Sequence, residues 1–255
     1  MAGISVVIIT LNEERNIARC IRSVKGLADE VLVVDSHSTD RTRQIAEDLG
    51  ARVIIHKWLG YSATKNFGNC QTQFDHILSL DADEALSDDL KESILAVKET
   101  WSADGYTMNR LTNYCGHWIK HCGWYPDRKL RLFKKSSAKW TGDTIHEHIA
   151  LDVGTQVQQL QGDILHYSYY SIAEHIKQAD KFTDLTAFEA YEAGKKANYL
   201  KILLAPKVKF IRDFFINLGI LDGFYGYTVC RISAHATWLK YSKLRKLHHT
   251  NPKAL

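Results

Sequence analysis

The sequence lacks a glycine-rich phosphate cradle. Neither G-x-G-x-x-G nor a P-loop occurs in its 255 residues, which excludes the dinucleotide-binding and P-loop ways of holding a diphosphate. H-E-x-x-H is missing as well, so a zinc protease of that type is not supported. There is no internal repeat or low-complexity tract, and the apolar and charged fractions, 45% and 24%, are ordinary for a globular chain. Solenoid, disordered and fibrous classes therefore drop out. No basic, apolar, small-residue leader precedes the first apolar run, Ile4–Ile9, so the expectation is a cytoplasmic protein. The five cysteines (Cys20, Cys70, Cys115, Cys122, Cys230) are odd in number and irregularly spaced, which fits free thiols in a reducing compartment. The apolar stretch Tyr199–Tyr227 is broken by Lys201, Lys207, Lys209, Arg212 and Asp213. A spanning helix needs ~20 predominantly apolar residues, so none is expected there.

What is present first is alternation. Apolar, β-branched runs at 4–9, 30–34, 52–55 and 76–80 alternate with helical patterns over about 13–24, 39–49, 62–72 and 88–99. Short, almost wholly apolar strands separated by helices indicate a parallel sheet covered on both faces. From Gly105 to about Tyr170 the pattern changes to short strands such as Lys129–Phe133 and Ile164–Tyr167, as in the mixed half of an α/β domain. A long helix is predicted over 171–194, with Ser171 as cap and Glu174 as its reciprocal partner. The expected organisation is one domain over 1–170, with a donor half to about 104 and an acceptor half over 105–170. A helical, basic segment over 171–255 follows.

Charge is distributed unevenly. From Lys195 onward twelve Lys and Arg meet two acids, Asp213 and Asp222, a local excess of +10 in a chain of net +4 that leaves −6 on the rest. A basic tail on an acidic body points to an anionic partner, either nucleic acid or a membrane surface. Val208, Ile211, Phe214, Phe215 and Leu218 can share one helical face while Lys209, Arg212 and Asp213 take the other. That pattern suits an interfacial helix on lipid headgroups or an amphipathic helix packed on the core; Lys240, Lys243, Arg245 and Lys246 add weight to the lipid reading.

In open α/β sheets ligands sit beyond the carboxyl ends of the strands, and here those ends are acidic: Asn12-Glu13-Glu14, Asp35, and Asp81-Ala82-Asp83-Glu84. Acids would repel a diphosphate unless a cation stood between them. Asp81 and Asp83, one residue apart at a strand end, can reach one hard divalent cation such as Mg²⁺ or Mn²⁺, which would also bind diphosphate oxygens. The bland alternative is a turn in which Asp83 or Ser87 caps the next helix. Asp40 and Asn66 are likewise candidates for simple caps.

Four segments, ISVVIITLN (4–12), VVDSHSTDR (33–41), ATKNFG (63–68) and LSLDADE (78–84), occur in the order and spacing of glycosyltransferase family two. Three later ones, GWYPDRKLRLF (123–133), Ile145-His146-Glu147 and GILDGFYGY (219–227), resemble the bacterial lipopolysaccharide inner-core β-glucosyltransferases. The resemblance spans nearly the whole chain. It implies an inverting enzyme of the GT-A fold, a Rossmann-like α/β domain with a mixed central sheet and a C-terminal helical, membrane-associating segment. By the same resemblance Thr10, Asn12 and Glu13 lie in the loop that meets the nucleotide, and Asp35 stands where uracil and ribose bind. Lys65 sits where relatives often carry arginine, near base and diphosphate, although lysine is a point charge without a guanidinium fork. Asp81 and Asp83 correspond to the metal motif, and Glu147 to the carboxylate that takes the acceptor proton.

Inversion requires such a base on the face opposite the leaving group. His146 and His148 flank Glu147 and could tune it or contact an acceptor phosphate. Arg128 and Arg131 could bind donor or acceptor phosphates, or serve in structural ion pairs. The run Cys115–Cys122 offers four potential zinc ligands in eight residues but lacks zinc-framework spacing; an aromatic acceptor-side loop with Trp118 and Trp124 suits it better. The expected activity is transfer of a hexose, glucose from UDP-glucose, to an inner-core heptose of lipid A-anchored lipopolysaccharide. It would take place on the inner face of the cytoplasmic membrane, with no nucleic-acid partner. The rivals are a metal-dependent nucleotidyltransferase and a non-catalytic membrane or nucleic-acid binding module.

Overall fold

The computed structural model describes residues 3–142 and 147–249. Its contacts divide the chain into two compact units, Met1–Leu111 with Asp127–Tyr167, and Thr112–Pro126 with Ser168–Leu255.

The first unit opens with four parallel strands, β1 (Ile4–Thr10), β2 (Glu30–Asp35), β3 (Arg52–Ile55) and β4 (His76–Asp81), in the spatial order β3-β2-β1-β4. Helices α1 (Ile17–Ser23), α2 (Thr42–Asp48) and α3 (Tyr61–Cys70) connect them. The central strands are apolar throughout because both faces are covered. Val6, Ile8, Leu78 and Leu80 pack with Ile17 and Ile21 on one side, while Val7, Ile9, Leu32 and Val34 face Phe67 on the other. Helix α3 lies so close to the sheet that a Cβ on Gly68 would sit 2.7 Å from Val7 Cγ1. Helix α1 begins four residues later than the sequence pattern suggests, because Asn12 takes a left-handed φ of 55° and Glu13 forms the turn that precedes the helix.

The sheet then turns mixed. The remaining elements are β5 (Glu84–Leu86), α4 (Asp88–Thr100), β6 (Gly105–Tyr114), β7 (His117–Ile119), β8 (Asp127–Lys134), β9 (Ala138–Thr141), β10 (His148–Leu151) and β11 (Val157–Tyr169). Beyond β4 the order is β8-β6-β11-β5, with β8 antiparallel to β4 and β6, and β11 antiparallel to β5. This is the mixed α/β sheet expected of a GT-A domain. The capping ambiguity at the acidic turn is resolved: Ser87 caps α4, accepting from Leu90 N at 3.2 Å, which leaves Asp83 for other use. Strands β9 and β10 form a separate hairpin tied to α3 by Asn66, whose amide donates to Trp140 O at 2.8 Å and accepts from Trp140 N at 3.0 Å.

The second unit is helical. Strands β6 and β11 each run on into it, and it holds β7, α5 (Ile172–Glu192), α6 (Tyr199–Ile211) and α7 (Gly223–His249). Ser171 and Glu174 form the reciprocal capping box expected of α5. Between α6 and α7 the backbone widens into a π-helical turn at Arg212–Ile216 and tightens into a 3-10 turn at Gly219–Asp222. The expectation that Asp213 faces outward with Lys209 and Arg212 is corrected here. Asp213 is buried and ion-paired to Lys209 at 2.7 Å and Arg212 at 3.2 Å. The widened turn is what rotates it inward. Gly226 packs against the 3-10 turn so closely that a Cβ would meet Gly219 O at 2.0 Å.

Candidate active site

The site lies in the first unit, at the carboxyl ends of its parallel strands. Register pairs Thr10 with Asp35, and Ile9 with Asp81, so the polar ends of β1, β2 and β4 are level. Thr10 Oγ1 and Asp35 Oδ2 are buried there without a hydrogen-bond partner among the described residues. Asp35 spends its other oxygen on Ser38 N at 2.9 Å. Asn12 is held by Ser38 and Thr39, donating from its backbone N to Ser38 Oγ at 2.8 Å and accepting from Thr39 N at 2.8 Å. Glu13 accepts from Asn16 Nδ2 at 2.7 Å. Burial raises its carboxyl pKa, the Asn16 bond partly offsets this, and the charge of Asp83 adds to the rise.

Asp81 is the hub. Lys65, on α3 and wholly buried, places Nζ 3.0 Å from Asp81 Oδ1 and 2.7 Å from Glu147 Oε1. Arg131, on β8, places Nη2 3.0 Å from both Asp81 Oδ2 and Glu84 Oε1. Burial opposes ionisation of Asp81, but the charges of Lys65 and Arg131 outweigh it and hold this carboxyl well below the usual carboxylate range. The Trp140 ring closes the group, with Lys65 Nζ 4.3 Å and Arg131 Cζ 5.6 Å from its centroid. Glu147 Oε2 and Arg131 Nη1 are buried and have no hydrogen-bond partner among the described residues. Native proteins rarely leave such atoms unsatisfied without a functional reason.

Asp83 has a different environment. His166, on β11, lies opposite Glu84 in the ladder and places Nε2 3.1 Å from Asp83 Oδ2. A carboxylate beside an imidazole, with no lysine or arginine paired to it among the described residues, is a donor set that suits a divalent cation. Asp81, between two cationic side chains, is the poorer ligand of the two. No group of three or more His, Cys, Asp or Glu side chains converges among the described residues. Asp83 with His166 could still give Mg²⁺ or Mn²⁺ one or two protein ligands, the rest of the shell coming from phosphate and water.

The structure therefore joins Lys65, Asp81, Arg131 and Glu147 in one ion-pair network. Arg128 stands apart, exposed and forming no ion pair among the described residues. His148 is exposed on β10, its Nε2 3.2 Å from Thr141 Oγ1, and His146 falls outside the described residues. Trp118 and Trp124 belong to the second unit, where Trp124 packs within 6.2 Å of Tyr114, Tyr169 and His175. Sequence reasoning missed Glu84 and His166. Glu84 stood one residue from the D-x-D pair and could have been found; His166 lies 83 residues from its partner and left no local mark.

The profile of glycosyl transferase family 2 matches residues 5–150. An uncharacterised glycosyltransferase of Rickettsia typhi is 34% identical over 257 residues, covering 97% of this chain and 88% of its own. The lipopolysaccharide core biosynthesis glycosyltransferase LpsC of Rhizobium meliloti is 28% identical over 96% of this chain and 93% of its own. Among solved structures, glucosyl-3-phosphoglycerate synthase from Mycobacterium tuberculosis, in complex with Mn²⁺, UDP and its product, is 27% identical over 44% of each chain, with a TM-score of 0.37.

Proposed function

Because the chain belongs to glycosyl transferase family 2, we propose that it moves a hexose from a nucleoside-diphosphate donor to a hydroxyl of a lipopolysaccharide core acceptor, with inversion. The nucleotidyltransferase and binding-module readings fall with that membership. The observation that carries the reading is the network itself. A fully buried lysine ties the donor-side carboxylate Asp81 to Glu147, whose second oxygen is buried and has no partner among the described residues.

In this reading Asp35 and Thr10 receive the nucleoside with the polar atoms left open at the strand ends. Asp83 and His166 would hold Mg²⁺ or Mn²⁺, which when bound would screen the diphosphate charge and favour its departure. Arg131 Nη1 is a ready donor to a phosphate oxygen. Glu147 accepts the acceptor proton as the new C–O bond forms at the anomeric carbon and the bond to the diphosphate breaks. Lys65 fixes the orientation of Glu147 through their ion pair. Glucose from UDP-glucose is the donor we favour, on the resemblance to inner-core glucosyltransferases, and an inner-core heptose the acceptor, in keeping with the name of the LpsC relative. Such an acceptor is lipid-anchored, which would place the enzyme peripherally on the inner face of the cytoplasmic membrane.

The test is hydrolysis and transfer with a panel of UDP-, GDP- and dTDP-sugars, with Mn²⁺ or with EDTA. We expect metal-stimulated release of UDP; folded protein that releases no nucleotide from any donor in the presence of a core acceptor would sink the proposal. Glu147→Gln should lower kcat by about 10²–10⁴ while leaving donor affinity within a few-fold. Full turnover in that variant would remove Glu147 as the base.

A further inference from the structure

The second unit carries an apolar surface that its own fold leaves uncovered. Leu200 and Leu203 are 62% exposed, and the stripe runs on along α6 and past it to Ile216 at 71%, Leu221 at 65% and Phe224 at 67%. The inner face of the same elements is complete. Phe210 and Phe214 pack with Val229 and Cys230, and Ile202 with Leu244. The outer face is therefore a second apolar face, of the kind that marks an interaction site.

Its charges identify the partner. The acids of this region, Asp213 and Asp222, are both buried and bound, Asp213 to Lys209 and Arg212, Asp222 to His121 Nδ1 at 2.9 Å and to the backbone N–H of Lys120 and His121. Exposed charge around the stripe is thus positive, from Lys207, Arg212 and Arg231, and from Lys201, whose Nζ lies 4.8 Å over the Tyr241 ring. Two copies of such a surface would repel each other, whereas anionic lipid headgroups would attract it. Two of the basic residues near the C-terminus are engaged elsewhere. Lys243 pairs with Asp180 and Asp184, each at 2.7 Å, and Arg245 lies 3.8 Å over the Tyr199 ring. No helix among the described residues is long and apolar enough to cross a membrane.

We propose that the outer face of α6, with the π-helical and 3-10 turns that follow it, lies in the plane of an anionic lipid bilayer. Its apolar side chains are buried among the acyl chains, and Lys201, Lys207 and Arg212 reach up to the headgroups. This sets the lipid contact on α6 and its turns, within the stretch whose sequence suits an interfacial helix, more than on the basic tail that follows. It stands on the second unit and does not depend on the identity of the donor sugar.

Flotation of the full chain with vesicles of phosphatidylethanolamine and phosphatidylglycerol tests it, with phosphatidylcholine vesicles as the uncharged comparison. The chain should float with the anionic vesicles, less so as salt rises, and weakly with phosphatidylcholine. Leu203→Asp and Leu221→Asp should each lower partitioning about tenfold or more, and Lys207→Glu should weaken it less. Donor hydrolysis, which reports the first unit, and circular dichroism should be unchanged in these surface variants. Variants that float like the parent would overturn the proposal. So would a dimer, seen by sedimentation without lipid, that Leu221→Asp dissolves while flotation persists. Loss of hydrolysis in the parent with intact flotation would instead count against the transferase reading alone.

Discussion

At the scale of single residues, Lys65 decides most. It is wholly buried and pairs with both Asp81 and Glu147, so its removal leaves Glu147 without this partner and Asp81 with Arg131 alone. Lys65→Met should destabilise the chain by about 3–5 kcal/mol, measured by urea unfolding near neutral pH. A loss within the range of an exposed ion pair, below about 1 kcal/mol, would show that the network is solvated. The low pKa of Asp81 also has a signed consequence. Its contribution is complete above the unfolded carboxylate value of about 3.9 and fades as pH falls below it. Asp81, Asp83 and Asp35 were legible in the sequence because an acid ending an apolar strand has few structural reasons to be there. The pairing of Lys65 with Glu147 was not, since 82 residues separate them and only the seating of the β9–β10 hairpin against α3 brings them together.

Elements were legible where local rules suffice. The capping box of α5 follows from Ser171 and Glu174, and the first four strands from their apolar runs. The stretch after Tyr199 was harder, because hydrophobic period alone does not show where a helix widens. The π-helical turn at Arg212–Ile216 turns Asp213 inward, reversing the face assigned from a regular helix. In α5, His175 is buried, its Nδ1 3.1 Å from the Tyr114 hydroxyl, and burial lowers its pKa to about 4. The folded state thus keeps it neutral while the unfolded chain takes up a proton below about 6.5. Its contribution is complete above that value and is lost as pH falls towards 4, by roughly 3 kcal/mol in all. Unfolding free energies of the parent and His175→Gln, compared from pH 7.5 to 4, should show the parent losing more; parallel curves would refute this.

At the scale of the whole molecule, donor and cation should act as one ligand. A cation held by Asp83 and His166 needs phosphate oxygens to complete its shell, so UDP with Mn²⁺ should raise Tm far more than either alone. At a hundred times Kd the gain would be about 2.7 kcal/mol. Asp83→Asn should abolish the dependence on Mn²⁺ while sparing a smaller effect of UDP. A thermal shift equally large with EDTA would remove the metal from donor binding.

The sequence by itself determined the alternating α/β order, the acidic strand ends, the D-x-D pair and the excess of positive charge after Lys195. Each is a local pattern that chemistry reads from neighbouring residues. Tertiary structure alone decided that Glu84 and Arg131 brace Asp81, that His166 stands beside Asp83, and that α6 with its turns, more than the tail, presents an apolar and cationic surface. Those facts depend on strand register, on an antiparallel return from distant sequence, and on a helix that widens for one turn. None leaves a periodic trace in the chain, because the partners in each case meet only after the sheet and the helices have formed.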